Sequence, residues 1–282
     1  MKAGQAKFLS LQGRMQCPHC ASPMVLNEKG SMICEKGHCF DVSGKGYVNL
    51  LPRQRQTQYD KQAFESRRAV FQDGFYLPVL DCLEDFVRRY CKAEGQAYLL
   101  DAGCGDGYYA LQLQNRLENK MRFLGLDLSK EAVVLAASGG NGVCWLVGDL
   151  AHLPLQAGSL DAVLNVFTPA HYGEFFRVLK PDGILIKAIP EEGYLQQLRR
   201  LAAGQLRKQK YSNQAVSQRV EDKLLVLERK RITATMPVTA LQLEQFARMT
   251  PMLFHIDLKQ LDFKSITEIT IDVEVIAGTI KS

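Results

Sequence analysis

The sequence predicts an α/β protein, a doubly wound sheet preceded by a small cysteine-rich module, and three observations predict it. Short apolar runs alternate with helical stretches from residue 98 onward. A glycine-rich turn, "DAGCGDG", follows the first of those runs. Four cysteines and two histidines crowd into "CPHCASPMVLNEKGSMICEKGHCFD" at residues 17–41. At 282 residues and 46% hydrophobic content, the chain has the size and composition of one large domain with a small partner. No apolar run approaches the roughly 20 residues that cross a bilayer, and "MKAGQAKFLSLQGRMQC" lacks a signal peptide's hydrophobic core. The expectation is a cytoplasmic protein with no membrane partner. A net charge of +5 permits a nucleic-acid partner without demanding one.

In the first module, Cys17 and Cys20 form a C-x-x-C, and Cys34 with His38 follows as C-x-x-x-H after thirteen intervening residues. Such turns aim pairs of soft ligands at one point, and a hairpin between "PMVLN" and "SMICE" brings the pairs together, with Pro18, Gly30 and Gly37 supplying turns. Four such ligands suit tetrahedral zinc, in outline a zinc ribbon. With no position left for water, the metal is structural. Two other readings compete: a redox pair, which needs a longer βαβ context, and plain buried cysteines. Spacing leaves Cys39 open as fourth ligand in place of His38.

The second cluster begins with an apolar strand at Tyr98–Leu100, then Asp101, glycines at 103, 105 and 107, and a helical stretch from Tyr108. Glycines there let a ligand approach the backbone closely. "MRFLGLDLS" is a second strand ending at Asp127, placed to bind ribose hydroxyls. "VCWLVGDL" is a third ending at Asp149, "LDAVLNVF" a fourth carrying Asn165, and "RVLKPDGILIKAIP" gives a helix end, a turn and a fifth. "RKRITATMPV" and "ITEITIDVEVIAGTI" supply final strands. Ligands of such sheets sit at the carboxyl ends of the strands, where the strand order reverses. Asp149 has a competing reading as a helix cap for "LAHLPL".

Asp-x-Gly-x-Gly at 101–105, Asp127, Asp149 and the K-P-x-G turn at 180–183 resemble the Rossmann-like class I S-adenosylmethionine-dependent methyltransferases. The resemblance implies a cofactor whose methionine and ribose pass Asp101, Gly103, Gly105 and Asp106. Asp127 would take the ribose hydroxyls, Asp149 and Leu150 face the adenine, and Asn165 lie beside the sulfonium. "CPHC", "FDVSGKGYVNLLP", "RRAVFQDGFYLPV", "DAGCGDGYY" and "GLDLSK" together are similar to a narrower group, the RlmA-type bacterial 23S rRNA guanine-N1 methyltransferases. That likeness implies methylation of N1 of a guanine in a hairpin loop of 23S rRNA, a zinc domain that helps to grip RNA, a homodimer, and an influence on macrolide susceptibility. It places the zinc ligands on Cys17, Cys20, Cys34 and His38, and cofactor contacts on Tyr76, Gly105 and Asp106. Tyr194 stands where better-known members have a histidine.

Basic residues concentrate in Arg53–Arg68, with Arg53, Arg55, Arg67 and Arg68, and in Arg199–Arg219, with Arg207 and Lys208; both runs are candidates for phosphate contacts. A solvated helix face is the competing reading. Asn165 is followed by "VFTP", not the Pro-Pro-aromatic sequence of amino-directed enzymes, and His171 lies near enough to be read as a base. Two other functions stand against this one: a methyltransferase for a small molecule such as a quinone, and a non-enzymatic RNA-binding protein. The expected plan is a flexible tail at 1–15, a zinc-binding domain and basic linker at 16–60, and a methyltransferase domain at 61–282.

Overall fold

The computed structural model describes residues 2–53, 59–93, 95–117, 121–139, 141–206 and 211–281. A short helix α1 (Ala3–Ala6) and a 3-10 turn (Lys7–Leu11) lead into three short strands, β1 (Met24–Leu26), β2 (Ser31–Cys34) and β3 (Cys39–Asp41), paired antiparallel in that order. Strand β4 (Tyr47–Asn49) leaves this ribbon and joins the large sheet, and helices α2 (Lys61–Gln72) and α3 (Leu77–Tyr90) follow. Then come β5 (Ala97–Ala102), α4 (Tyr108–Arg116), β6 (Met121–Asp127), α5 (Lys130–Ala137), β7 (Cys144–Val147), β8 (Leu160–Val166), α6 (Tyr172–Val178) and β9 (Leu179–Pro190). The chain closes with α7 (Gln196–Leu201), α8 (Gln214–Lys223), β10 (Leu224–Pro237), α9 (Ala240–Met249) and β11 (Glu268–Ile280).

The large sheet runs β10-β11-β9-β8-β5-β6-β7-β4. Strands β4 to β9 are parallel, and β11 pairs antiparallel with both β9 and β10. The order reverses between β5 and β8, so the crevice above their carboxyl ends is where a ligand belongs. All six residues of β5 are buried, the continuous pattern of a parallel strand covered on both faces. Alternation along it sends Leu99 into one core and Leu100 into the other. Helix α2 starts where the Asp60 carboxylate accepts a hydrogen bond from the Ala63 amide at 2.8 Å. Helix α3 has Pro78 in its first turn and buries Val79, Leu80, Cys82, Leu83, Phe86 and Val87 along one stripe.

The N-terminal residues depart from the flexible tail that the sequence suggests. Phe8, Leu11 and Met15 are buried at 1% exposure or less, in the same apolar cluster as Leu100 of β5, Leu124 and Leu126 of β6, and Leu146 of β7. Phe8 and Leu11, three apart, lie on one side of the 3-10 turn, and Met15 joins them through its bridge to Leu155. The Arg14 guanidinium lies 3.6 Å from the centre of the Tyr98 ring, and Lys7 donates to the Asn141 carbonyl at 3.3 Å. The metal-ligand cysteines Cys17 and Cys34 belong to this shared cluster too, so the ribbon packs directly on the sheet. The ribbon is too small to own a core, and roofing one face of the large sheet supplies it with one. Leu11→Ala should therefore cost the whole protein about 2–5 kcal/mol, the range for a buried leucine truncation. Denaturant unfolding followed by two probes would show one shifted transition, whereas a loose tail would leave the midpoint unmoved.

Candidate active site and metal centre

Cys17, Cys20, Cys34 and His38 meet at the open end of the ribbon, their donor atoms within 4.8 Å of one another. The His38 Nδ1 is 3.5 Å from the Cys17 sulfur and 3.4 Å from the Cys34 sulfur, and the Cys20 and Cys34 sulfurs are 3.7 Å apart. Tetrahedral zinc with its usual bond lengths requires sulfur–sulfur separations of about 3.8 Å and sulfur–nitrogen separations of about 3.5 Å. The four groups fit the ion as they stand. Cys39 is exposed and outside the cluster, which closes the alternative left open by spacing. The His19 amide points at the Cys17 sulfur at 3.4 Å, a contact that steadies a thiolate.

The cofactor cradle is built where β5 ends. Gly103, Gly105 and Gly107 all adopt positive φ. At two of them a side chain is excluded by a neighbour: a Cβ on Gly103 would come within 2.4 Å of the Thr168 side chain, and one on Gly107 within 2.4 Å of the Trp145 ring. The Gly103 and Cys104 amides both donate to the Leu126 carbonyl, and the Asp127 carboxylate accepts from the amides of Gly105 and Ser129, each at 2.8 Å. Burial raises the pKa of Asp127. Asp101 beneath the loop is pushed up to about 7 by burial. Several buried polar atoms around the loop have no hydrogen-bond partner among the described residues: Arg67 Nε, Asp101 Oδ2, Asp106 Oδ1 and the Tyr109 hydroxyl. Buried groups in that state call for a polar ligand.

A cavity of about 910 Å³ opens beside the loop, lined in part by Tyr59, Arg67, Phe71, Tyr76, Phe167 and Tyr194. Phe71 and Tyr76 stack with ring centres 4.2 Å apart, and Phe167 meets Tyr76 edge-on. The hydroxyls of Tyr76 and Tyr194 are hydrogen-bonded at 2.5 Å, so the tyrosine at the variant position does reach the family's tyrosine. Burial raises both phenols, Tyr194 to about 12. Phe167 holds a left-handed backbone, φ 56°, a strained state for a bulky residue that often marks a functional site.

Other expected residues fall elsewhere. Arg67 and Arg68, read as phosphate contacts, turn inward: Arg67 Nε lies 3.2 Å from Asp106 Oδ1, and Arg68 reaches the same carboxylate at 3.9 Å and the Leu135 carbonyl at 3.2 Å. A buried carboxylate on the loop attracts them, which a count of charges along the chain does not reveal. His171 is exposed and caps α6, its Nδ1 accepting from the Glu174 amide at 3.3 Å; it is not among the residues lining the cavity. Asp149 lies beyond the end of β7, and its carboxylate accepts from the Ala151 amide two residues on, a turn contact; no helix starts there, so the helix-cap reading does not hold. With Arg53 it lines a smaller cleft of about 410 Å³ that also includes Pro18 of the metal ribbon. Leu150 packs half-buried against the core that the ribbon shares. Arg55, Arg207 and Lys208 lie outside the described residues.

Lys187 escaped the sequence reading. It is 3% exposed on β9, and its ammonium donates to the Asn165 side-chain oxygen and to the Thr168 carbonyl, pinning the 165–168 loop from below. A lysine inside "ILIKAIP" was the available signal. Burial lowers its pKa to about 8.

Two predictions come from this geometry. Cys34→Ser should abolish zinc in elemental analysis and lower the midpoint of the single unfolding transition, since its position lies in the shared core. Lys187 is harder to protonate folded than unfolded, so between about pH 8 and 10.5 the unfolded chain binds more protons and stability rises with pH. Lys187→Met should remove that rise, worth about 3 kcal/mol at most, which denaturation of both proteins at pH 8 and pH 10 would show.

The family model described as "Methyltransferase domain" matches residues 100–187, and the one described as "RlmA, N-terminal" matches residues 15–58. Among curated proteins, the chain is 31% identical to YxjB of Bacillus subtilis (strain 168), named as a 23S rRNA (guanine-N1)-methyltransferase, over 93% of this chain and 96% of that one. It is 30% identical to the 23S rRNA (guanine(748)-N(1))-methyltransferase of Streptomyces fradiae, over 92% and 94%. Among solved structures, a methyltransferase in complex with the Haloferax volcanii Trm112 activator shares the fold, with a TM-score of 0.52 and 19% identity over 80% of this chain and 100% of that one. The zinc ribbon, the glycine cradle and these full-length likenesses place the chain in the family of S-adenosylmethionine-dependent 23S rRNA (guanine-N1)-methyltransferases.

Proposed function

We propose that the protein methylates N1 of a guanine in a hairpin loop of 23S rRNA, in the cytoplasm, and that this modification influences macrolide susceptibility. The observation that carries the reading is the 910 Å³ cavity, whose aromatic and cationic lining adjoins the glycine cradle at the carboxyl ends of the central strands. Flat aromatic walls suit an unstacked purine, as RNA-modifying sites require. No helix among the described residues is long and apolar enough to cross a membrane. A homodimer is part of the proposal, supported by the outer strand β10, on which Leu225 and Leu227 are exposed.

S-adenosylmethionine supplies an electrophilic methyl group on a sulfonium. The chain's residues hold it: Asp127 offers its remaining lone pairs to the ribose, Asp101, Gly103 and Gly105 form the cradle, Asp149 and Leu150 flank the adenine end, and Tyr76 and Tyr194 close the side. Asn165 is fully buried between Lys187 and the Ala102 carbonyl, so its part is to fix the loop that carries Phe167. Phe167 then stacks on the acceptor base. For the N1 proton, His255 replaces His171 as the histidine that faces the cavity. Arg53, on the cleft between ribbon and sheet, faces the RNA backbone.

The test is methyl transfer to a synthetic large-subunit hairpin, followed by mass mapping of the product. Guanine N1 should carry the methyl, and the same hairpin with adenine at the acceptor position should stay unmodified. Equal modification of the adenine hairpin, or none of either, would overturn the reading.

A further inference from the structure

Among the described residues two arginines line the cavity, and they differ in what they face. Arg67 lies 3.2 Å from the Asp106 carboxylate, whereas Arg199 has no carboxylate partner among the described residues. Arg199 sits one turn into α7, its amide bonded to the Leu195 carbonyl at 3.0 Å. Leu195 is buried and holds a left-handed backbone, φ 50°, a strained state for a bulky side chain. The Arg199 guanidinium lies 4.9 Å from the centre of the Tyr211 ring, and its Nη2 donates to the Tyr194 carbonyl at 3.2 Å. Its Nε is buried without a hydrogen-bond partner among the described residues. Tyr211 is fixed in turn, its hydroxyl donating at 3.0 Å to the carbonyl of Pro190, the last residue of β9. The Tyr194 and Phe167 rings lie 5.7 Å apart, centre to centre. Tyr194 is thus a shared neighbour of Arg199 and of the ring that stacks on the acceptor base.

A guanidinium without a carboxylate, backed by an aromatic face and bordering a cavity suited to a purine, matches a base edge with two acceptors. Guanine presents O6 and N7 side by side, the pair that arginine's planar fork reads bidentately. We propose that Arg199 holds O6 and N7 of the acceptor guanine and so sets the base specificity of the reaction. The inference rests on guanine N1 as the methyl acceptor. Holding the O6–N7 edge leaves N1 uncovered. It also serves the chemistry. As N1 bonds to the methyl carbon, the carbon–sulfur bond breaks with its electron pair kept by sulfur, and the N1 proton passes to His255. Negative charge that develops on the ring as the proton leaves is shared with O6, where the Arg199 cation stabilises it. Burial lowers the Arg199 pKa against the opposing pull of Tyr211, yet an arginine stays charged at neutral pH. Adenine carries an amino group in place of O6, a donor facing a donor, so the same side chain rejects it. An RNA phosphate could also seek Arg199, but a guanidinium laid on the Tyr211 ring with its Nε buried is set into the cavity wall. Phosphates remain on the strand from which a base is extruded.

Two hairpins separate the outcomes, one with guanine at the acceptor position and one with 7-deazaguanine, which keeps N1 and O6 but has carbon in place of N7. Methyl transfer by the wild-type protein should favour guanine at least about tenfold in kcat/KM, inside the range that a bidentate arginine–guanine pair discriminates. Arg199→Met should slow both hairpins but guanine more, narrowing the preference at least about threefold, a coupling between residue and base atom that a merely structural loss would not produce. The preference is a ratio on one protein, so weaker folding or cofactor binding cancels from it. Should the methionine variant fail to fold, Arg199→Lys decides by the same comparison, since a single ammonium replaces the fork and narrows the preference in the same direction. An unchanged preference, with both hairpins slowed equally as loss of a phosphate contact predicts, would overturn the assignment. Equal use of the two hairpins by wild-type protein would do the same. Absence of any methylation of the guanine hairpin by wild-type protein would remove the guanine-N1 reading itself, and the role of Arg199 with it.

Discussion

The Asp127 carboxylate is the constraint on which the rest of the site depends. It ends β6, and each of its oxygens accepts a backbone N–H, one from Gly105 and one from Ser129. The first bond fixes the glycine loop leaving β5; the second sets the start of α5, where the Ser129 hydroxyl caps the Ala132 amide. Charged acceptors make the stronger class of hydrogen bond, which offsets the cost of holding a carboxylate out of water. Its raised pKa is the mark of that cost. The loop so placed is what brings Asp106 up against Arg67 and sets α2 across the top of the cradle.

The second constraint is metal. Strands of three or four residues bury too little apolar surface to stay folded alone, and four ligands drawn to one ion replace the missing core. The ribbon nonetheless leans on the sheet. Gln16 donates its amide to the Pro154 carbonyl at 3.1 Å, and Gln156 donates to the Arg14 carbonyl at 2.7 Å. Those partners lie in the segment after β7 that also holds Asp149, so the ribbon and the cleft lined by Asp149 and Arg53 share a short, packed stretch of chain.

How much of this was legible depended on whether the signal was local. The metal ligands, the glycine turn, Asp127 and the parallel strands are local patterns, and each was found where spacing put it. Phe8, Leu11 and Met15 were not, because a short leading stretch with scattered apolar side chains reads as a tail until a sheet face is known to need covering. Lys187 was missed for a related reason: its partners, Asn165 and Thr168, belong to a neighbouring strand and the loop above it, and strand pairing is a long-range fact. Asp149 went the other way. The helix it would cap does not form, and its carboxylate instead closes a turn with the Ala151 amide.

The basic stretch from Arg53 to Arg68 shows what charge density along a chain does not encode. Successive residues on a helix point about 100° apart, so a run of cations on α2 is spread around its axis. Lys61 pairs with Glu65 on the exposed face at 3.4 Å, close to neutral in its long-range field, while Arg67 and Arg68 turn to Asp106. Among the described residues of that stretch, Arg53 is the cation left for a polyanion, and it sits on the seam between the ribbon and the loop after β7. Positive charge on a seam acts only while both sides stay in register. The position of that charge is therefore set by one structure, the ribbon seated on the sheet, and so by the metal ligands that shape the ribbon.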